Sequence, residues 1–258
     1  MKLLFGPASI GSPGDKGLEQ LAILGVKTSE VAFGRGVYMK REMAENLGKI
    51  AKKLKISLSV HAPYYVNLAT SDVEKKEASV QRILSACERG YLLGAREIVF
   101  HPAYYMGKDA EVVYQIVKEE ILKMQETIKE NKWGVVLCPE TTGKATQFGS
   151  LDECLRLIKD TGCGVCVDFA HLKARDIGKI DYDEVMKKIK NVKHLTCHFS
   201  GIVWGPKGER KHELTKDGDL KELLGYLKKY KISTRIINES PDVLGDTLKT
   251  IKMWDKMK

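Results

Sequence analysis

Seven residues that bind divalent cations stand at or just beyond the ends of six apolar, strand-like runs. His61 closes LSVH, His101 closes EIVFH, and His198 lies in HLTCHF. Glu140 follows GVVLCP, Asp168 closes VCVD with His171 three residues on, and Glu239 follows RIIN. Imidazole nitrogen and carboxylate oxygen are the donors of catalytic zinc sites, which keep one position open for water or substrate. Zinc lowers the pKa of a bound water to about 7, and two ions roughly 3.5–4 Å apart can stabilise the attacking and leaving oxygens of phosphodiester cleavage. A carboxylate can bridge two ions and an imidazole cannot. Glu140 and Glu239 are therefore the bridging and catalytic candidates. One such residue alone is more often a satisfied polar group at a strand end. His194, at the start of its own run, fits that plainer description.

Residues this far apart in sequence can meet only if their strands are parallel and share one end. Apolar, β-branched runs alternate with amphipathic segments along the chain. Strands are expected over Lys2–Gly6, Ser29–Phe33, Ile56–Val60, Glu97–His101, Gly134–Pro139, Gly164–Asp168, His194–Phe199 and Thr234–Glu239. Helices are expected over Gly17–Leu24, Lys40–Leu54, Val73–Leu93, Ala110–Asn131, Leu151–Thr161, Tyr182–Ile189, Leu220–Lys229 and Asp242–Met257. Eight such pairs predict an α/β protein, a (β/α)8 TIM barrel, in which all strand C-termini open on one mouth. The chain has 258 residues, close to the ~250 of one barrel, and no break in composition divides it, so residues 1–258 read as one catalytic domain. Strand alternation places Ser59, Val99, Cys138, Cys166, Thr196 and Ile237, each two residues before a candidate ligand, inside the barrel.

Composition narrows the setting. No apolar run approaches the ~18 residues that span a bilayer, and MKLLFGPASIGSPGD reads as a first strand and loop, not a signal peptide. A cytoplasmic protein without membrane attachment is the expectation. The six cysteines are then reduced core residues. Cys163 and Cys166 form a CxxC, but it leads into a strand, where redox motifs need a helix N-terminus. The net charge of +9 favours a polyanionic partner. Its plain alternative is a Lys-rich surface with helix faces such as KKLK and KEE.

HAPYYVNL, FHPAYY, PETTGKATQFGS, CVDFAH, HFSG and the Glu of INES follow one another in the order of the endonuclease IV family, which this chain resembles from its first strand to Glu239. The resemblance implies a xylose-isomerase-like barrel and a zinc-dependent apurinic/apyrimidinic endonuclease. Such an enzyme cuts double-stranded DNA 5′ to an abasic site and leaves a 3′-hydroxyl. It also implies that His61 and His101 hold one metal, that Glu140 bridges to a second completed by Asp168, His198 and Glu239, and that His171 belongs to a third. Family members carry Asp-x-His after the seventh strand, but here the segment reads Gly208, Glu209, Arg210, Lys211, His212. Glu209 can replace the Asp, Lys211 falls at the His position, and His212 comes one residue late. Three outcomes are open. The loop shifts so that His212 binds, the third zinc is weak or absent, or the Lys211 ammonium sits near the cation's place. Two zincs are expected, a third is left open, and manganese is an alternative metal.

For DNA, the resemblance implies that Tyr64 and Tyr65 wedge into the duplex at the lesion. Arg35 is a candidate to probe the flipped site, and Lys211 is a candidate phosphate contact. Tyr104, Tyr105 and Trp204 lie on mouth loops, and Lys144, Lys173, Arg175, Lys207 and Arg210 could reach phosphates. A monomer is expected. The alternative is a sugar isomerase or epimerase on the same barrel, with one divalent metal held by two carboxylates, a His and an Asp. The count of histidines and the basic charge favour DNA.

Overall fold

The computed structural model describes residues 2–257. Eight parallel strands form the barrel wall: β1 (Leu3–Pro7), β2 (Thr28–Ala32), β3 (Ser57–His61), β4 (Glu97–Phe100), β6 (Val136–Pro139), β8 (Val165–Asp168), β9 (Leu195–Phe199) and β12 (Thr234–Asn238). Two four-stranded ladders, β2-β3-β4-β6 and β1-β12-β9-β8, make it up. A parallel bridge between Glu140 and Cys166 joins them on one side. On the other side β1 and β2 meet at Gly6, where a Cβ would stand 2.0 Å from the Thr28 carbonyl oxygen. Only glycine admits that approach. Ser29 Oγ then donates to the carbonyls of Pro7 and Ser9 at 2.9 and 2.8 Å, tying this seam with a side chain.

Helices α1 (Gly14–Ile23), α2 (Arg41–Leu54), α3 (Val73–Leu93), α4 (Ala110–Glu130), α5 (Leu151–Thr161), α6 (Phe169–Arg175), α7 (Tyr182–Ile189), α8 (Asp217–Lys229) and α9 (Val243–Met257) lie between and after the strands. Their buried residues recur at three- and four-residue steps, as Ala44, Leu47 and Ala51 do in α2, which is the stripe a helix presents to a core. Local sequence sets their ends. Asp72 caps α3 by accepting from the Lys75 amide, and Gly94 closes it in the left-handed conformation. Ser150 and Glu153 form a capping box on α5. Each fully buried Leu or Phe in this shell contributes about 1.5–3 kcal/mol.

The eight expected strands all form, within two residues at either end. Ser59, Val99, Cys138, Cys166, Thr196 and Ile237 are all fully buried in the barrel interior, as alternation required. Three features were not anticipated. Helix α6 follows β8 at once, because Asp168 caps it. Residues 103–104 (β5) and 147–148 (β7) pair as a small antiparallel ribbon. A hairpin of β10 (Gly201–Gly205) and β11 (Gly208–Glu213) rises over the mouth. Short antiparallel segments inside loops carry no long periodic signal, so pattern reading passes over them. No helix among the described residues is long and apolar enough to cross a membrane.

Candidate metal centre at the barrel mouth

The strand ends and a hairpin over the mouth gather the candidate imidazoles and carboxylates into three adjoining groups, within each of which the donor atoms lie within 4.8 Å of one another. His61, His101 and Glu140 form the first. Glu140, Asp168, His198 and Glu239 form the second. His171, Glu209 and His212 form the third. Glu140 belongs to two of them. Its Oε2 faces His61 Nε2 at 2.9 Å and His101 Nε2 at 3.0 Å, while its Oε1 faces His198 Nδ1 at 3.2 Å. His198 Nδ1 also faces Glu239 Oε1 at 3.3 Å.

Backbone geometry aims these side chains. Asp168 ends β8 and caps α6: its Oδ1 accepts the His171 amide at 2.7 Å. That cap places His171 in the first turn of α6, directed at the same mouth. Asp168 Oδ2 is left buried without a hydrogen-bond partner. A buried carboxylate oxygen with no donor is costly, and this one belongs to the second group, where a cation would satisfy it.

The far nitrogen of each of three imidazoles is occupied. A carbonyl can only accept, so His61 Nδ1 carries a proton for Ala62 O at 2.7 Å, and His171 Nδ1 carries one for Thr141 O at 3.0 Å. His212 Nδ1 pairs with Ser200 Oγ at 2.9 Å. His61 Nε2, His171 Nε2 and His212 Nε2 are thereby presented to the groups. Fixing the tautomer through the second nitrogen is the usual support of a metal-binding histidine. The donor set and the orphaned oxygen both fit divalent cations.

The local field agrees. Burial alone would lower the pKa of His61, but the hydrogen bond to Glu140 and the charges of Glu140, Glu30 and Glu239 raise it to about 9. His171 and His198 are likewise buried yet held well above the ordinary value, chiefly by Asp168 for His171 and by Cys166 and Glu239 for His198. Burial pushes Glu140 up, but the charges of His101 and His198 hold it well below the usual carboxylate range. Burial raises Asp168, and with its like-charged neighbours Glu239 and Glu140 outweighs His171. The mouth is a carboxylate-rich centre that needs bound positive charge, either protons or metal.

The hairpin resolves the displaced histidine. Trp204 pairs with Glu209 and Val203 with Lys211, so Arg210 is an extra residue in β11. In a regular strand Glu209 and His212, three residues apart, would lie on opposite faces. A β-bulge restores a shared face. His212 Nε2 then lies 3.3 Å from His171 Nε2, and Glu209 Oε2 lies 3.6 Å from the same atom. Glu209 also packs directly on Gly143, where a Cβ would meet its side chain at 2.7 Å. Lys211, adjacent to His212 on the strand, takes the other face. It is exposed and does not line the cavity, so the reading that set the Lys211 ammonium at the cation's place does not match its position.

Above the three groups opens a cavity of about 430 Å³, lined among others by Tyr64, Tyr104, Lys144, Gln147 and the ligand candidates His61, His101, His171, Glu209, His212 and Glu239. Tyr64 stands with its ring 5.9 Å from that of His61 and is 59% exposed. Tyr65 and Arg35 are exposed but outside this lining. Several cations expected at phosphates are otherwise engaged. Arg175 Nη1 donates to the carbonyls of Lys144 and Gln147 at 2.6 and 2.9 Å, holding the loop after Glu140. Lys173 pairs with Asp219 at 3.1 Å. Tyr105 donates to Glu153 at 2.5 Å. Trp204 packs over Gly178, outside the cavity lining. His194 opens the approach to β9 at the opposite end of the barrel. All six cysteines are buried and free. Burial drives the Cys163 thiol up to about 11 and Cys166 well above its usual range, which leaves both inert.

One buried acid of the centre was not foreseen. Glu30, in the middle of β2, is fully buried and faces His198 Nε2. The signal was a lone carboxylate inside the buried run TSEVAF, since a charge is almost never fully buried without a partner.

Comparison with known proteins agrees with the barrel fold. A model of the xylose isomerase-like TIM barrel family matches residues 18–257. An uncharacterised protein of Methanocaldococcus jannaschii is 34% identical, with 99% of this chain and 98% of that protein aligned. A probable endonuclease 4 of Bacillus licheniformis is 30% identical over 62% of this chain, and the chain spans 57% of that relative's length. The crystal structure of endonuclease IV from Thermus thermophilus superposes with a TM-score of 0.74 at 20% identity, covering 100% of both chains. That of a D-tagatose 3-epimerase-like protein gives 0.75 at 18% identity, covering 99% and 96%. Such structural likenesses carry the fold alone, and they reach endonucleases and epimerases equally. The chain belongs to the xylose isomerase-like TIM barrel family.

Proposed function

We propose that this protein is a metal-dependent apurinic/apyrimidinic endonuclease that hydrolyses the DNA phosphodiester 5′ to an abasic site. The observation that carries this reading is the set of three adjoining groups of imidazole and carboxylate donors, two of them sharing Glu140. Proton transfer on a sugar needs one metal. It leaves His61, His101, His171 and His212 without work, although three of these have their far nitrogens tied off. Zinc, or manganese in its place, would supply an activated water and charge stabilisation of the phosphate oxygens.

The chain's own residues do the rest. Glu140 links two of the groups through its two oxygens, and Glu239 closes the second. His171, Glu209 and His212 make the third. Tyr64, at the lip of the cavity and more than half exposed, enters the gap left by the missing base, where insertion costs least. Tyr65, Arg35 and Lys211 are outlying DNA contacts at most, and Lys144 on the cavity wall is the better phosphate partner. The +9 charge favours a polyanionic partner, and the protein works as a cytoplasmic monomer.

A duplex carrying one tetrahydrofuran abasic analogue tests the reading. Metal-dependent cleavage on its 5′ side is the expected result, and the missing aldehyde excludes a lyase route. The second reading is a one-metal sugar epimerase, favoured by a specific match: Glu140, Asp168, His198 and Glu239 alone are two glutamates, an aspartate and a histidine. Turnover of a ketose, with no nick in zinc, manganese or cobalt, would decide for it.

A further inference from the structure

We propose that Glu30 is a positioning residue of the metal centre, one that sets which nitrogen of His198 binds the cation. The proposal rests on the metal-centre part of the reading above and names a residue outside the ligand set. Glu30 lies on β2 opposite Ser59 of β3, in the layer just below the mouth. Ser59 Oγ donates to its Oε2 at 2.8 Å. His198 Nε2 faces Glu30 as well, 3.4 Å from Oε2 in hydrogen-bonding geometry and 3.2 Å from Oε1. Glu30 Oε1 has no hydrogen bond of its own, and the whole side chain is shut from solvent.

His198 is thus held between two unlike environments. Its Nδ1 faces Glu140 and Glu239, the donor group, and its Nε2 faces Glu30, which lies outside that group. The other two fully buried ligand histidines put Nδ1 on a backbone carbonyl and present Nε2. His198 is reversed, and Glu30 takes the carbonyl's place. As an acceptor it requires the proton on Nε2, which leaves the Nδ1 lone pair for the cation. As a charge it makes the imidazole a stronger donor, the arrangement in which a carboxylate supports a metal-binding histidine.

Metal-free protein titrated with zinc against a competing chelator reads this directly, without DNA. Glu30→Gln removes the charge, and its amide can present a donor that forces the proton to Nδ1. We expect one zinc equivalent to weaken by about 10–100-fold while the others hold. Glu30→Asp should recover part of the loss. In zinc-loaded wild type, nitrogen-resolved NMR of the histidine rings should show the His198 proton on Nε2. Wild-type affinity at every site in Glu30→Gln overturns the proposal. So does an equal loss at all sites together with a lower melting temperature of the metal-free protein, which marks a merely structural acid. Should that variant not fold, Ser59→Ala frees Oε2 from its hydroxyl. A several-fold loss at one site supports the proposal, and none overturns it. Zinc bound tightly without abasic incision would sink the nuclease reading and leave this one standing. Incision with Glu30→Gln at wild-type zinc affinity would do the reverse.

Discussion

Glu140, Asp168 and His198 stand at or within barrel strands and have no exposed side-chain surface. Glu209 and His212 stand on a hairpin, and about a fifth of each side chain is exposed. Both regions converge imidazole and carboxylate donors, but they do so by different means. Among the strand-borne residues, spacing is inherited from the barrel ladder, where β8 pairs Asp168 directly with His198 of β9. On the hairpin, spacing depends on one irregularity, the extra Arg210. A ladder shared with neighbours on both sides resists change. A two-stranded ribbon is only marginally stable alone and tolerates an inserted residue by bulging. The strand-borne groups are therefore the fixed part of this centre, and the hairpin group is the part that one inserted or deleted residue can shift.

The largest test strikes the strand-borne side. Glu140→Gln removes a charge shared by two donor groups. Incision of the abasic duplex should fall by roughly a hundredfold or more, with metal lost from both groups. Melting curves and metal analysis separate this from unfolding. Near-normal incision would mean that the two groups are not linked.

The hairpin side should give one-site effects. His212→Ala should weaken one metal equivalent by about 10–100-fold and spare the other two. Lys211→His should change neither metal count nor rate, because residue 211 faces away. Deleting Arg210 removes the bulge and leaves Glu-Lys-His, with Glu and His two residues apart on one face of a regular strand. The third group should survive that deletion. Its loss would show that the bulge does more than restore parity.

The strand-borne side should also respond to pH. In metal-free protein His61 titrates near 9 when folded, against about 6.5 when unfolded. A raised folded pKa contributes stability that is complete below about 6.5 and disappears as pH climbs through 9. The metal-free melting temperature should fall across that window, by calorimetry or dye binding. Metal-loaded protein should behave oppositely and weaken in acid, since protons compete for the same nitrogens. A flat metal-free profile would contradict the protonated centre.

The smallest effects belong to the rim. Lys144→Ala should reduce the salt slope of DNA binding by about 1, whereas Arg175→Ala should act on stability through the loop it ties. Tyr64→Ala should weaken abasic duplex more than intact duplex, by fluorescence anisotropy. Equal losses would remove it as a lesion wedge.

Much of this was legible in the residues themselves. Strand-end His and Glu types, period-two alternation and eight strand–helix pairs were enough for the barrel and its mouth, because backbone alternation forces a residue two before a ligand into the interior. That the strand-borne donors meet at one mouth was legible for the same reason. Glu30 was not, since it sits in mid-strand and its partner His198 is 168 residues away. Nor was the engagement of Arg175 and Lys173, because a cation's partners depend on loops whose course no local pattern records.

Sequence by itself determined the donor types, their order and the face each strand turns inward, all of which follow from covalent chemistry and the pleat. Only the tertiary structure decided that Glu140 reaches two donor groups, that a bulge at Arg210 brings His212 in and turns Lys211 out, and that Glu30 meets the far side of His198. Those outcomes depend on distances between segments far apart in the chain and on one inserted residue's parity, and packing alone sets them.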